Sequence, residues 1–355
     1  MKKALKKKLL KRSLLVSLSA LAIFAGGCSS KTQGDAAGKA SNDKITIAWL
    51  PNESGADLEG TRTEIGKMIE EATGKKVVNK TTTDYTIAIE AVANGSADMA
   101  FLGGEGYVEA HKKNKDVLPL VVNSGPSGTL DDAIYNSWLS VKEGNEGQYK
   151  DGDKFSIDNV AGKKFSFVSN SSTSGFKVPT TGILSHFSKQ SKYKNLKVDD
   201  LIEGGKFFSE VLYGGSHQGS AVNLLTGKAD VAAFCDTCVA NYVELADGKK
   251  NTPGAIYKVK NGAAEPFNTL SGAEFTVISV TPVLNSPFVV NTENINSDEK
   301  QKILDAFTSD KMTGDEKIFA PEGSKTSALF TKVSGKEHLL PVDDAWFNPI
   351  RELSK

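Results

Sequence analysis

The stretch KFSFVSNSSTSGFKVP, residues 164–179, decides how this chain is read. Residues 164–168 alternate around Phe165, Phe167 and Val168, as a strand does. A hydroxyl-rich turn follows, Ser169 to Ser174, and after Ser174 and Gly175 the sequence reads as a helix. Strand, polar turn and helix in that order is the repeating unit of an α/β sheet. It is also a natural oxyanion site. A helix N-terminus offers unpaired N–H groups and partial positive charge. Hydroxyls there add donors, so phosphate, phosphonate or sulfonate can be held without arginine. Gly175 is expected to let the backbone approach a ligand. The competing reading is an ordinary N-cap in a polar loop.

The same alternation extends in both directions. Residues 44–50 read as a strand, 58–73 as a helix closed by Gly74, and 77–78 open a second strand. Thr82 or Thr83 is expected to cap a helix carrying Tyr85. Residues 97–102 form a third strand, Gly103 and Gly104 open a helix to 113, and 117–122 form a fourth strand. The run 135–141 looks extended and able to cross to a second lobe. Strands at 164–168, 207–212 and 230–234, a helix at 219–225 and an extended run at 275–283 complete a second set. Pro282 and Pro287 bracket a return crossing, and 297–307 reads as a helix capped by Ser297. The alternation argues for a mostly parallel α/β sheet. Asn94-Gly-Ser-Ala-Asp98 echoes Thr226-Gly-Lys-Ala-Asp230, which suggests paired lobes.

Charge narrows the partners. Lys+Arg and Asp+Glu are both 43, yet residues 1–27 hold seven basic residues and no acidic ones. The remainder carries 36 basic against 43 acidic residues, which argues against nucleic acid. Beyond residue 27 the arginines are Arg62 and Arg351. Residues 1–12 are basic, 14–25 apolar, and Ala25-Gly26-Gly27-Cys28 follows, resembling a bacterial lipoprotein signal. Cys28 is then the lipidated N-terminus of the mature chain, and 28–43 a flexible tether.

Cys235-Asp236-Thr237-Cys238 supplies two thiols, where a structural zinc site needs four ligands. A local disulfide, free thiols, redox chemistry and metal binding all stay open here. Tyr213-Gly-Gly-Ser-His217-Gln-Gly precedes another expected helix. His217 can donate to an oxyanion, and with a pKa of about 6.5 its charge would follow pH. Tyr85 and Tyr107 stand at expected helix starts and can reach a ligand from the opposite wall.

These residues resemble the phosphonate-binding proteins of ABC importers. The resemblance runs through Thr83-Asp84-Tyr85, Glu90, Gly95, Asp98 and Tyr107, then Ser171-Ser-Thr-Ser-Gly175, Gly215-Ser-His217 and Gly227-x-x-Asp230. It continues in Pro287-Phe-Val-Val and Pro341-Val-Asp-Asp-x-Trp-Phe, covering residues 44–355. It implies an α/β, two-lobed type II periplasmic-binding-protein fold, each lobe a mixed sheet flanked by helices, with ligand between the lobes. By position, Ser172, Thr173, Ser174 and His217 would bind a phosphorus oxyanion, and Tyr85 and Tyr107 would close on it. The chain departs from the family in two places. Glu105 stands where the family often has Pro. Asp236, near the position where relatives meet an amine, is flanked by Cys235 and Cys238. Asp236 is therefore expected to set the ligand class.

The expectation is a lipid-anchored, extracytoplasmic solute-binding protein for phosphonate, phosphite or phosphate. It would bind by hinge closure, as a monomer, without catalysis, cofactor or metal, and hand a small anionic solute to ABC permease subunits. Lobe 1 is expected at 44–130 and 285–355, lobe 2 at 131–284. Alternatives are a sulfonate or thiamine-related pyrimidine binder, or a CxxC oxidoreductase.

Overall fold

The computed structural model describes residues 43–353. The basic segment, Cys28 and most of the tether lie outside the described residues. Two mixed sheets organise the chain. The first has six strands, in spatial order Leu339–Pro341, Val117–Asn123, Pro287–Asn291, Met99–Phe101, Lys44–Trp49 and Lys76–Thr81. Lys44–Trp49 runs parallel to both of its neighbours, whereas Pro287–Asn291 is antiparallel to both of its own. The second has seven strands: Val243–Asp247, Ile256–Val259, Glu274–Leu284, Ile134–Lys142, Val231–Cys235, Lys164–Phe167 and Glu210–Tyr213. The mostly parallel sheet expected from alternation is thus corrected. Strand–helix units are parallel, but the strands that return from the other sheet enter antiparallel.

The chain leaves the first sheet after Asn123 and re-enters it at Pro287. The crossing strands, Ile134–Lys142 and Glu274–Leu284, pair antiparallel from Ile134 opposite Leu284 to Lys142 opposite Phe275.

The internal echo has a structural basis. Asp98 Oδ2 accepts the N–H of Thr46 at 2.7 Å, and Asp230 Oδ2 accepts that of Lys164 at 2.9 Å. In each sheet the Asp before a strand ties down the start of the parallel strand beside it.

Local chemistry moves two caps. Asp84, not Thr82 or Thr83, caps the helix Tyr85–Ala93 by accepting from Thr86 N–H at 2.7 Å. Asn296 caps Ser297–Phe307 in a reciprocal box with Glu299. The core on one side of the first sheet is aromatic, with Trp49 edge-on to Phe288 at 5.8 Å. A buried cluster joining Ala48, Tyr85 and Leu102 to Tyr135, Val168 and Cys235 runs from the first sheet to the second. Among the described residues no helix is long and apolar enough to cross a membrane.

Candidate functional site

The hydroxyl turn is both cap and site. Ser172 Oγ accepts the N–H of Gly175 at 3.1 Å, so the ordinary capping role is real. The same oxygen lies 3.4 Å from His217 Nε2. Residues Thr173–Lys177 form a single π-helical turn ahead of the helix Val178–Phe187. Such wide turns recur where a helix start is shaped for function. Gly175 is required for a reason other than ligand approach: a Cβ there would sit 2.2 Å from Val168 Cγ2. The turn folds back on the end of its own strand, and only glycine fits. Ser172, Thr173 and Ser174 are all buried. Ser174 Oγ makes no hydrogen bond. Thr173 Oγ1 accepts the Glu105 N–H at 2.9 Å, a donor that a proline at that position would lack.

His217 opens the helix His217–Leu225, with Ser216 as its cap. Its Nδ1 accepts the N–H of Cys235 at 3.0 Å, so the neutral ring carries its proton on Nε2, toward Ser172. Burial holds its pKa down at about 3. The expected titration near neutrality is therefore corrected: the ring is a neutral single donor.

The opposite wall comes from the loop after strand Lys44–Trp49 and from the helix Tyr85–Ala93. Asn52 Nδ2 donates to the Tyr85 hydroxyl at 2.6 Å, and Asn52 Oδ1 accepts the His217 N–H at 3.0 Å. The Tyr85 hydroxyl also neighbours Ser172, and burial raises its pKa, keeping the phenol protonated. Tyr107 departs from expectation. Its ring is buried against Phe347 and its hydroxyl donates to Asp344, which also pairs with Arg351. A second tyrosine beside the hydroxyl turn is Tyr135. Its hydroxyl neighbours Ser174, Ser286 and Thr173, and burial lifts its pKa to about 12.

Asp236 is saturated by protein. Oδ1 accepts the N–H groups of Asn136 and Thr237, and Oδ2 the side-chain amides of Asn136 and Asn251, all at 2.8–3.0 Å. That fits the turn-capping role better than a ligand contact. Cys235 and Cys238 are joined in a disulfide. The ligating atoms of His217 and both cysteines lie within 4.8 Å of one another, and the disulfide occupies both sulfurs.

Two residues beside the turn that the sequence reading did not single out, Asn52 and Tyr135, had a positional signal. Asn52 follows the carboxyl end of the first strand, where open α/β sheets bind ligands. Tyr135 heads the strand that crosses between the sheets.

A family described as ABC transporter, phosphonate, periplasmic substrate-binding protein matches residues 47–347. The chain belongs to this family. It is thus an extracytoplasmic substrate-binding component of a phosphonate ABC transporter, and works with permease subunits. That reading stands over the sulfonate, pyrimidine and oxidoreductase alternatives. The phosphate-import protein PhnD of Mycolicibacterium smegmatis is 28% identical over 248 residues, 69% of this chain and 72% of that one. A binding-protein component of an ABC phosphonate transporter from Pseudomonas aeruginosa superposes with a TM-score of 0.60. It is 19% identical, over 88% of this chain and 85% of its own. PhnD1 from Prochlorococcus marinus, solved with methylphosphonate, gives 0.58 at 14% identity, over 88% and 97%. At these identities the likeness speaks for the fold, the type II periplasmic-binding-protein fold.

Proposed function

We propose that Tyr85, Tyr135, Ser172, Thr173, Ser174 and His217 together hold the oxyanion of a phosphonate, phosphite or phosphate. The observation that carries this reading is the meeting of Tyr85 with Ser172 beside the His217 Nε2–H. Neutral donors from both sides converge there, and the phenols keep their protons. A dry site lined by neutral donors stabilises an anion more strongly than a wet one. Tyr107 and Asp236 are left outside this set, since their polar atoms are engaged elsewhere.

The lobes run 44–130 with 285–355, and 131–284, and close about the paired crossing strands. Binding and closure suffice for the task, with no bond chemistry. One chain supplies both walls, which is consistent with a monomer. The mature protein is held at the membrane surface by lipid on Cys28. The names of the relatives, a phosphate-import protein and a phosphonate-transporter component, support a phosphorus ligand. Thermal unfolding with phosphate, phosphite, ethylphosphonate, 2-aminoethylphosphonate and ethanesulfonate tests it. A specific ligand at about a hundred times its Kd adds ~2.7 kcal/mol of stability. A rise with sulfonate and none with any phosphorus compound would overturn the proposal.

A further inference from the structure

The Cys235–Cys238 disulfide lies on the Nδ1 side of the His217 ring, opposite Ser172, and its two ends are held differently. Cys235 ends the strand Val231–Cys235, is fully buried, and pairs with Ser137 across the sheet. The next residue, Asp236, is tied to Asn136 and Asn251. Cys238 is partly exposed and follows the exposed Thr237 in the helix Asp236–Val239. That helix has four residues, too few to keep its shape unaided. Toward the strand, Cys238 is held by the disulfide and by its N–H bond to Cys235 Sγ at 3.1 Å.

From Cys238 an unbroken chain of hydrogen bonds reaches both walls of the site. The Cys238 carbonyl accepts from Gln218 Nε2 at 3.1 Å, and the same nitrogen donates to the Asn52 carbonyl at 3.1 Å. The Asn52 side chain accepts the His217 N–H at 3.0 Å and donates to the Tyr85 hydroxyl at 2.6 Å. Cys235 closes the circuit, since its N–H donates to His217 Nδ1 at 3.0 Å.

From this we infer that the disulfide is a site of thiol–disulfide exchange, and that its redox state sets the affinity of the oxyanion site through Gln218 and Asn52. The inference rests on the proposed oxyanion site and adds its regulation. The reaction partner is an external dithiol. One of its thiols, as thiolate, attacks the sulfur of the partly exposed Cys238. Cys235 leaves as thiolate and takes up the proton that the attacking thiol gave up. The partner's second thiol then displaces Cys238 from the mixed disulfide, and Cys238 is protonated in turn. Two electrons pass to the protein, which ends with two thiols while the partner ends as a disulfide. Cut loose from the strand, the short helix no longer pins the carbonyl that holds Gln218, and Asn52 loses part of its support. Cys235 stays in the sheet, so His217 keeps its tautomer. The donors remain, but they must be ordered on binding, which weakens it.

The test is calorimetry with phosphate, phosphite, ethylphosphonate and 2-aminoethylphosphonate, on the oxidised protein and after dithiothreitol. Alkylation of the folded protein followed by mass measurement reads the thiols. Under dithiothreitol Cys235 and Cys238 should become alkylated, and the Kd of each compound that binds should rise by about three- to tenfold. By linkage, the bound compound should raise by the same factor the dithiol-to-disulfide ratio needed for half reduction. Cys235→Ser combined with Cys238→Ser should bind as the reduced protein does and ignore dithiothreitol. Gln218→Met should bind more weakly when oxidised and lose the difference between the two states. Urea unfolding checks that each form is folded. Equal Kd in the two states would overturn the proposal and leave the oxyanion site standing. So would an undiminished difference in folded Gln218→Met, or a disulfide that dithiothreitol does not reduce in the folded protein. A reduced protein without a cooperative unfolding transition would also overturn it, because the bond is then a staple of the fold. If none of the four compounds binds either state, the oxyanion site fails, and its regulation with it.

Discussion

His217 Nδ1 accepts the Cys235 N–H at 3.0 Å, which fixes the ring as a neutral donor through Nε2. Protonation would break that bond and charge a buried ring, so its pKa stays at about 3 rather than 6.5. Ligand affinity is expected to carry no His217 titration between about pH 5 and 8. A step in Kd near pH 6.5 that disappears in His217→Gln would contradict the assigned tautomer.

Buried His217 and Glu53 pull stability in opposite directions with pH. His217 titrates at about 3 folded against 6.5 unfolded, so the unfolded chain takes up the extra proton and stability falls as pH drops from 6.5 toward 3. Glu53 titrates at about 8 folded against 4.5 unfolded. Its contribution is complete below 4.5 and is lost as pH rises through 8, with a slope of at most ~1.4 kcal/mol per pH unit. Between 4.5 and 6.5 the two offset. Urea unfolding should therefore show wild type losing stability above 6.5 more steeply than Glu53→Gln. Parallel profiles would mean that folded Glu53 holds no proton in that range.

The two tyrosines should separate by phenotype. Tyr135→Phe removes a donor beside Ser174 and Thr173, at a cost of about 1.5–3 kcal/mol to a charged ligand, or tenfold and more in Kd. Tyr107→Phe removes a bond to Asp344 instead, so Tm should fall with Kd changed less than about twofold. The reverse pattern, measured by calorimetry and thermal unfolding, would put Tyr107 in the pocket.

Gly103 meets the hydroxyl turn at close range: a Cβ on it would lie 2.8 Å from Thr173 Oγ1. The contact joins the helix start of one side to the π turn of the other. Gly103→Ala is expected to weaken ligand binding, because the added methyl must push Thr173 Oγ1 away from the helix start. Small-angle scattering with saturating ligand should show less compaction than wild type. Unchanged affinity and compaction would remove Gly103 from the closing contact.

Cys28→Ala should leave the precursor unprocessed or release the protein from the membrane fraction. Fractionation of whole cells with a mass measurement of the mature N-terminus decides it. A variant that is still cut and still retained would mean that the anchor lies elsewhere.

Much of the fold and part of the site were legible because their chemistry is short-ranged. A strand needs its alternation, a helix its cap within three residues, and Gly175 a neighbour only seven residues away. The hydroxyl turn and His217, which the fold brings within 3.4 Å, could therefore be singled out from sequence as neighbours of one strand–helix edge, and the echo of Asp98 in Asp230 pointed to a real bond made twice. That the Tyr107 hydroxyl is engaged needed the packing of helix Gly104–Lys113 against the C-terminal residues, where Asp344 captures it. Asp236 had the right charge near the right strand end, but Asn136, a hundred residues away, and Asn251 fill its oxygens. Glu53 is served in part, and its Oε2 stays without a hydrogen-bond partner. What an ionisable side chain can offer a ligand is what remains after the protein has taken its share. Local sequence determines where that side chain starts, whereas the groups that satisfy or strand it are brought by distant segments.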